Sequence, residues 1–258
     1  MVSAARETGK AGATTDAAAA HASEPASATG ATGTTRATGT TKGARATRPD
    51  RTAGTRDVIM AVAERLFAEH GLSAVSNRQI GEAAGQRNVT VVSYHFGSRT
   101  ELVRAIMTRH GEQVDLIRRR YAEAAEGSEE IRDWAAALVR PVPEHLASLG
   151  TPSWNARLSV QVMTDPAMRA LVTEEALARP HLSRILEGLG NCLTHLSPEV
   201  RAARGHMARQ LITHTCAERE RALAENTGLL HASWNRTADA LTDAIVGLLS
   251  APVTSPPK

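Results

Sequence analysis

The chain has 258 residues, 42% hydrophobic but only 3% aromatic, which suffices for one or two compact domains cored mostly by Ala, Leu, Val and Ile. The net charge of +3 hides an asymmetry: residues 1–56 hold eight Arg or Lys against four acids, leaving about −1 for the remainder, which excludes a general polyanion binder. No apolar run approaches the roughly 20 residues of a membrane helix and no signal-peptide core opens the chain, so a cytoplasmic protein with no membrane partner is expected.

Residues 1–53 are low in complexity and rich in Ala, Thr and Gly, with a near-repeat of TTRATG and TTKGARAT between Thr34 and Thr47. Such a composition cannot build a core, and a disordered basic tail is expected. Either it is a solvated extension, or Arg45, Arg48, Arg51 and Arg56 form an arm that follows the DNA backbone or enters the minor groove. From Thr55 to His70 the pattern turns amphipathic, with Ile59, Val62, Leu66 and Phe67 at helical spacing and Gly71 as a stop signal.

The stretch SNRQIGEAAGQRNVTVVSYHFGSR, Ser76 to Arg99, then compresses two short helices and a glycine turn into 24 residues. Ser76 and Gln79 form a capping box, and Ile80, Ala83 and Ala84 give the first helix a small apolar face. Gly85 can end that helix in a left-handed conformation, and Asn88 can cap the second. Val89, Val92 and Phe96 share the inward face of the second helix. Thr90 and Tyr94 point away from that face, with Val91 and Ser93 on either side and His95 near its edge. Hydroxyls, a phenol and a small methyl-bearing side chain suit a helix lying in a major groove. Arg78, Arg87 and Arg99 against Glu82 leave the stretch at +2, the sign a phosphate partner needs. After Gly97, Ser98 and Glu101 open a long helix reaching about Glu126, with Leu102, Ile106 and Met107 in its first turns.

Together the first helix, Ser76–Ala84, the AGQRN turn and SYHFGSRTEL resemble the N-terminal domain of the TetR family of bacterial transcriptional regulators, over residues 55–107. The resemblance implies an all-α fold, with a three-helix DNA-binding head at 54–100, a helical dimerisation and ligand-binding domain at 101–250 and a short tail at 251–258. It places DNA contacts on Asn77 and Arg78, on the turn residues Gln86, Arg87 and Asn88, on Thr90, Ser93, Tyr94 and His95 of the recognition helix, and on Arg99 at the backbone phosphate. Two departures stand out. The GQRN turn carries about one residue more than the family's commoner turn, and Ser93 stands where many members have tyrosine, which shifts phosphate contact toward Tyr94.

Beyond Glu126 only helices are expected. Ser128, Glu129 and Glu130 cap one holding Ile131, Trp134, Leu138 and Val139 before Pro141 and Pro143 disturb it. The next runs from about Pro152 through Met163. Asp165-Pro166 and Ser197-Pro198 each read as a cap followed by a first-turn proline, opening helices that reach about Pro180 and Asn226. His181 to His195 makes another, loosened by Gly188 and Gly190. In a last helix, 233–250, Trp234, Ala238, Leu241, Ile245 and Leu248 repeat at spacings of four and three, a coiled-coil-like seam that needs a partner helix. That partner is either intramolecular or, as the resemblance implies, a second copy, making these five residues the dimer interface. Two heads so joined would read a palindromic operator in double-stranded DNA.

The resemblance also implies a cavity for a small-molecule effector among the C-terminal helices. Trp134, Trp154, Met163, Gln210 and His214 are candidates to line it, although ordinary core packing is the better reading of each. The effector is not identifiable from the sequence. His206, Gln210 and His214 share a helix face, and Cys192 lies three residues from His195, the raw material of a metal site. Yet HExxH, nucleophile-elbow, P-loop and Rossmann patterns are all missing, so neither enzyme nor cofactor nor bound metal is expected. Cys192 and Cys216 form no CxxC pair and read as reduced core thiols. The expected function is a ligand-responsive homodimeric repressor; an activator of the same fold and a metal-sensing helical protein are the alternatives.

Overall fold

The structure, a computed structural model, describes residues 48–88, 90–227 and 233–254. Eleven α-helices and no strand occur among the described residues, in keeping with the all-α expectation. They are α1 (Arg48–His70), α2 (Asn77–Ala83), α3 (Val91–Phe96), α4 (Arg99–Ala124), α5 (Ile131–Val139), α6 (Pro141–Leu149), α7 (Asn155–Thr164), α8 (Pro166–Leu177), α9 (Pro180–Cys192), α10 (Pro198–Ala224) and α11 (Trp234–Ser250).

Local signals set most of the helix starts. Ser76, Ser98, Asp165, Ser197 and Ser233 each accept a backbone amide of the first turn, which satisfies a donor the helix cannot use itself. Pro166 and Pro198 occupy first-turn positions where a missing N–H costs nothing. Three starts differ from the sequence expectation. The first helix begins at Arg48, seven residues ahead of Thr55 and inside the stretch read as tail. Pro141 opens a new helix, α6, instead of merely disturbing α5. And α7 begins at Asn155, past Pro152, for a reason that lies far away in sequence.

Two apolar cores organise the chain. The first joins α1–α4 around Ile59, Phe67, Ile80, Val92, Leu102 and Ile106, and takes in Leu158 and Val162 of α7 and Met168 of α8. The second packs the end of α4 with α5, α6, α9, α10 and α11 around Trp134, Leu146, Ile185, Ile212 and Ile245. Trp134 sits against Gly188, where any Cβ would overlap its ring, and donates its indole N–H to the Ser128 carbonyl at 2.9 Å. Gly188 thus permits a close helix approach rather than loosening α9. Both cysteines are free; Cys216 is buried and Cys192 is half-buried.

The seam of α11 turns inward. Ala238, Leu241 and Ile245 are buried within the single chain, against α5 and α10, and Trp234 and Leu248 are half-buried beside them. Ala238, Leu241 and Ile245 are therefore spent on an intramolecular partner, which accounts for the four-three spacing, while Trp234 and Leu248 keep part of their surface open. Arg132–Asp243 and Arg140–Asp239 ion pairs, at 2.7 and 2.5 Å, add polar clasps between α5 and α11.

A polar relay joins the two cores. Glu64 of α1 meets His110 Nε2 of α4 at 3.0 Å, and His110 Nδ1 meets His145 Nε2 of α6 at 2.8 Å. Burial, and His110 beside it, push the His145 imidazole down from 6.5 to about 4. Between those values the unfolded chain takes up a proton that folded His145 refuses, so stability is complete above pH 6.5 and drains away as pH falls toward 4. The thermal midpoint of His145→Gln is expected to fall less steeply across this window than that of the parent. Parallel slopes would show that His145 does not carry the effect.

Candidate nucleic-acid interface

The pair α2–α3 is built from short-range bonds. Ser76 Oγ accepts the Gln79 amide at 3.2 Å while the Ser76 amide donates to Gln79 Oε1 at 2.8 Å, closing the capping box. Ile80 is fully buried, and Ala84 packs with it, but Ala83 is exposed, because the short α2 offers only a narrow apolar strip. Gly85 takes φ +67°, a conformation disfavoured for residues with a Cβ, and its amide returns to Glu82 O. The Gln86 amide then bonds Gly81 O at 2.9 Å, while the Gln86 side chain folds back onto Ala84 O at 3.2 Å.

Asn88 organises the entry to α3 without being its N-cap. Its Oδ1 accepts both the amide and the hydroxyl of Thr90, at 3.0 and 2.7 Å, and α3 starts at Val91, with Thr90 in the cap position. Val92 and Phe96 are buried as expected; Val89 lies outside the described residues. Val91 departs from the expected outward placement. It is buried, its Cγ1 lying 3.4 Å from where a Cβ on Gly81 would stand, so it packs α3 onto α2 and is not on the outward face.

Facing solvent are Thr90, Ser93 and Tyr94, the last 80% exposed, with Arg87 and Asn88 on the exposed turn. Arg78 is 75% exposed and bound to Glu82 at 2.7 Å, which raises its guanidinium above the ordinary value through that hydrogen bond and the carboxylate's charge. An exposed pair of this kind exchanges readily with another anion. His95 is half-buried, its ring edge-on to Tyr94 at 5.1 Å between centroids. Asn77 is half-buried, with Oδ1 buried and without a hydrogen-bond partner.

Arg99 and Arg56 hold the head together. Arg99 Nη1 donates to the Leu72 carbonyl at 2.8 Å, tying the start of α4 to the α1–α2 turn. Arg56 Nη1 donates to the His95 carbonyl at 2.7 Å, and its guanidinium lies 4.1 Å over the Phe96 ring. Arg56 is therefore committed to the end of α3 and is not a free member of an arm; Arg45 lies outside the described residues, as do the side chains of Arg48 and Arg51. The Arg56 contact spans 39 residues, and no local pattern marks it.

The geometry is that of a helix-turn-helix: a capped first helix, a left-handed glycine, and a second helix that buries Val91, Val92 and Phe96 while offering hydroxyls and a phenol to solvent. Residues 59–106 match the model of the bacterial regulatory proteins, tetR family. Over those 48 residues the chain is similar to the N-terminal domain of tetR-family regulators. Solved structures similar to it include the TetR-family regulator PfmR of Thermus thermophilus, with 18% identity over 78% of this chain and 98% of that one and a TM-score of 0.48. Others are the TetR-like regulator LfrR of Mycobacterium smegmatis in complex with proflavine, with 21% identity over 78% and 99% and a TM-score of 0.43, and a gamma-butyrolactone receptor described as ArpA-like, with 22% over 75% and 99% and 0.44. The search of curated proteins returned no match.

The Arg99 bond to Leu72 O makes a stability prediction for the tetR-type head. Arg99→Ala is expected to lower folding stability by about 1–2 kcal/mol, the worth of a charged donor on a half-buried carbonyl. Chemical denaturation reads this directly, and an unchanged midpoint would return Arg99 to the pool of free phosphate-binding cations.

Proposed function

We propose that this chain is a ligand-responsive homodimeric repressor, cytoplasmic, whose two heads read a palindromic operator. The observation that carries the ligand response is a cavity of about 670 Å³ in the body, walled by the helices on which the head is packed. Met107 of α4 and Met163 of α7 line it, while Ile106 and Val162, their neighbours in sequence, are buried in the head core. A molecule filling the cavity would meet α4 and α7 directly, and any difference in its affinity for two head arrangements shifts their populations. Of the five lining candidates from the sequence, Met163 alone borders this space; Trp134 is committed to Gly188, and Trp154, Gln210 and His214 lie elsewhere.

Dimerisation then falls to the outward faces of α10 and α11. On α10 Met207 is 53% exposed, and on α11 Ala240, Ala244 and Gly247 share one exposed, low-relief side. Small side chains let a facing helix approach closely, and an exposed thioether is easily repacked. Repression requires only that a bound dimer occupy a promoter. His206 and His214, which share a face of α10, are both exposed.

Within the head, the DNA contacts proposed are Arg78, Arg87, Asn88, Thr90, Ser93 and Tyr94, with Asn77, Gln86 and His95 at the margin. Footprinting on DNA flanking the protein's own gene is expected to give a protected inverted repeat; protection of one isolated half-site would count against the dimer. Tyr94→Ala is expected to weaken binding to all sequences about tenfold, the loss of one phosphate contact, with little change in melting temperature. If specificity collapses while nonspecific affinity persists, Tyr94 reads a base instead.

A further inference from the structure

The body cavity is apolar in most of its wall, yet the strongly charged side chains that border it are all positive. Four arginines, Arg118, Arg179, Arg201 and Arg209, border it together with three histidines, and no aspartate or glutamate among the described residues does. Arg201 and Arg209 have neutral partners, the Gly190 carbonyl at 3.4 Å and the Thr173 hydroxyl at 3.1 Å. Arg118 and Arg179 are different.

Gly111, Val114, Asp115 and Arg118 lie at i, i+3, i+4 and i+7 on α4, one face of the helix. Arg179, the residue ahead of α9, lays its guanidinium across Gly111, where any Cβ would overlap it. The side chain of Arg118 is only 11% exposed, and its Nε is buried without a hydrogen-bond partner. The nearest carboxylate is Asp115, with a separation of 3.8 Å between Arg118 Nη1 and Asp115 Oδ1. That oxygen already accepts the Leu182 amide at 3.1 Å, capping α9. Burial pushes the Arg118 guanidinium down to about 10, Asp115 opposing and Arg179 reinforcing the shift, so it remains a cation at neutral pH. Arg118 thus has only one distant, occupied carboxylate, with a second cation, Arg179, beside it in a largely apolar wall. A buried charge left this way is costly unless something completes its coordination.

We infer that the cavity receives an apolar molecule bearing one anionic group, of the carboxylate or sulfonate kind, with Arg118 and Arg179 as the paired cations that hold that group and the aliphatic wall holding its body. This rests on the ligand-responsive reading of the same cavity and specifies the chemistry of the ligand. A guanidinium fork matches a carboxylate in geometry as well as charge, and a charge-assisted bond shielded from water is among the stronger polar contacts available. A neutral hydrophobe would leave Arg118 Nε unpaired, and a cation would add a third positive charge.

The test compares two fluorescent probes with the same ring system on the full-length protein: anilinonaphthalene sulfonate, which is anionic, and phenylnaphthylamine, which is neutral. The sulfonate is expected to bind at least about tenfold more tightly, as one charge-assisted bond requires. Arg118→Gln and, separately, Arg179→Gln should each shrink that preference while leaving the neutral probe's affinity in place. Dodecanoate should displace the bound sulfonate, and dodecyltrimethylammonium should not. Equal binding of the two probes, a preference that survives both substitutions, or displacement by the cationic amphiphile as effectively as by the acid would overturn the anionic specificity and leave a ligand-responsive regulator standing. No saturable binding of either probe would overturn both. Because Arg118→Gln removes an incompletely paired buried charge, it should melt no lower than the parent. Should it nonetheless fail to fold, Arg179→Gln, at the cavity's half-exposed wall, decides the matter.

Discussion

The carboxylate of Glu220 is the interaction on which the seating of the head depends. It belongs to α10, is 1% exposed, and accepts four donors from the start of α7: the Ser153 hydroxyl at 2.8 Å, the amides of Ala156 and Arg157 at 3.2 and 2.9 Å, and Arg157 Nε at 3.4 Å. Trp154, in the cap position of α7, has no side-chain acceptor to offer, so a residue more than 60 positions away supplies the cap. A buried charge is tolerable when its lone pairs are filled and a cation stands beside it, and Glu220 has both. With its first turn fixed to α10, α7 presents Leu158 and Val162, both fully buried, to the head core. The same charge reinforces the effect of burial on Cys216, one turn away, whose thiol is pushed up to about 12 and is chemically quiet.

The second carrier is α4. Its first turn is capped by Ser98 and tied through Arg99 to Leu72 O; its early residues Leu102, Val103 and Ile106 fill the head core. Further along, Arg104 and Thr108 engage Glu175 of α8, and Asp115 caps α9. One continuous helix therefore touches the helix-turn-helix head, the cavity wall and the helix packed beneath it. Close packing makes such a rod hard to bend, so a change at one end moves it as a unit. Together α4 and α7 give head and body two rigid connections, and the Glu64–His110–His145 relay adds a polar one between them.

Much of this could be read from the sequence because it is local. Ser76 with Gln79, Ser98 with Glu101, and Asp165 with Pro166 act within four residues, and the left-handed Gly85 needs nothing beyond its own missing Cβ. What escaped is long-range. The four-three spacing in α11 shows that a helix faces another but carries no record of whether that partner lies in the same chain. Val91 sits where a helical wheel allows either face, and the approach of Gly81 decided it. The Glu220 cap and the Arg56 contact with His95 and Phe96 bridge 63 and 39 residues, beyond any periodicity.

That last contact changes how the head's charge should be counted. The stretch from Ser76 to Arg99 carries three arginines, but Arg99 is spent on Leu72 O and Arg78 is shared with Glu82; only Arg87 among the three has neither commitment. Arg56, which precedes the stretch, is held over Phe96. A formal count thus overstates the positive charge free to meet phosphate, and much of the polar surface at α3 consists of neutral donors, Asn88, Thr90, Ser93 and Tyr94. Neutral donors bond phosphate oxygens without releasing counterions in proportion, so under the function proposed above a head of this composition would gain its hold by geometry more than by charge. Geometry in turn is what Arg56 and Arg99 maintain, by fixing the end of α3 and the start of α4 against α1 and the turn that follows it. The cations committed to backbone carbonyls are the ones that keep the exposed face of α3 in shape.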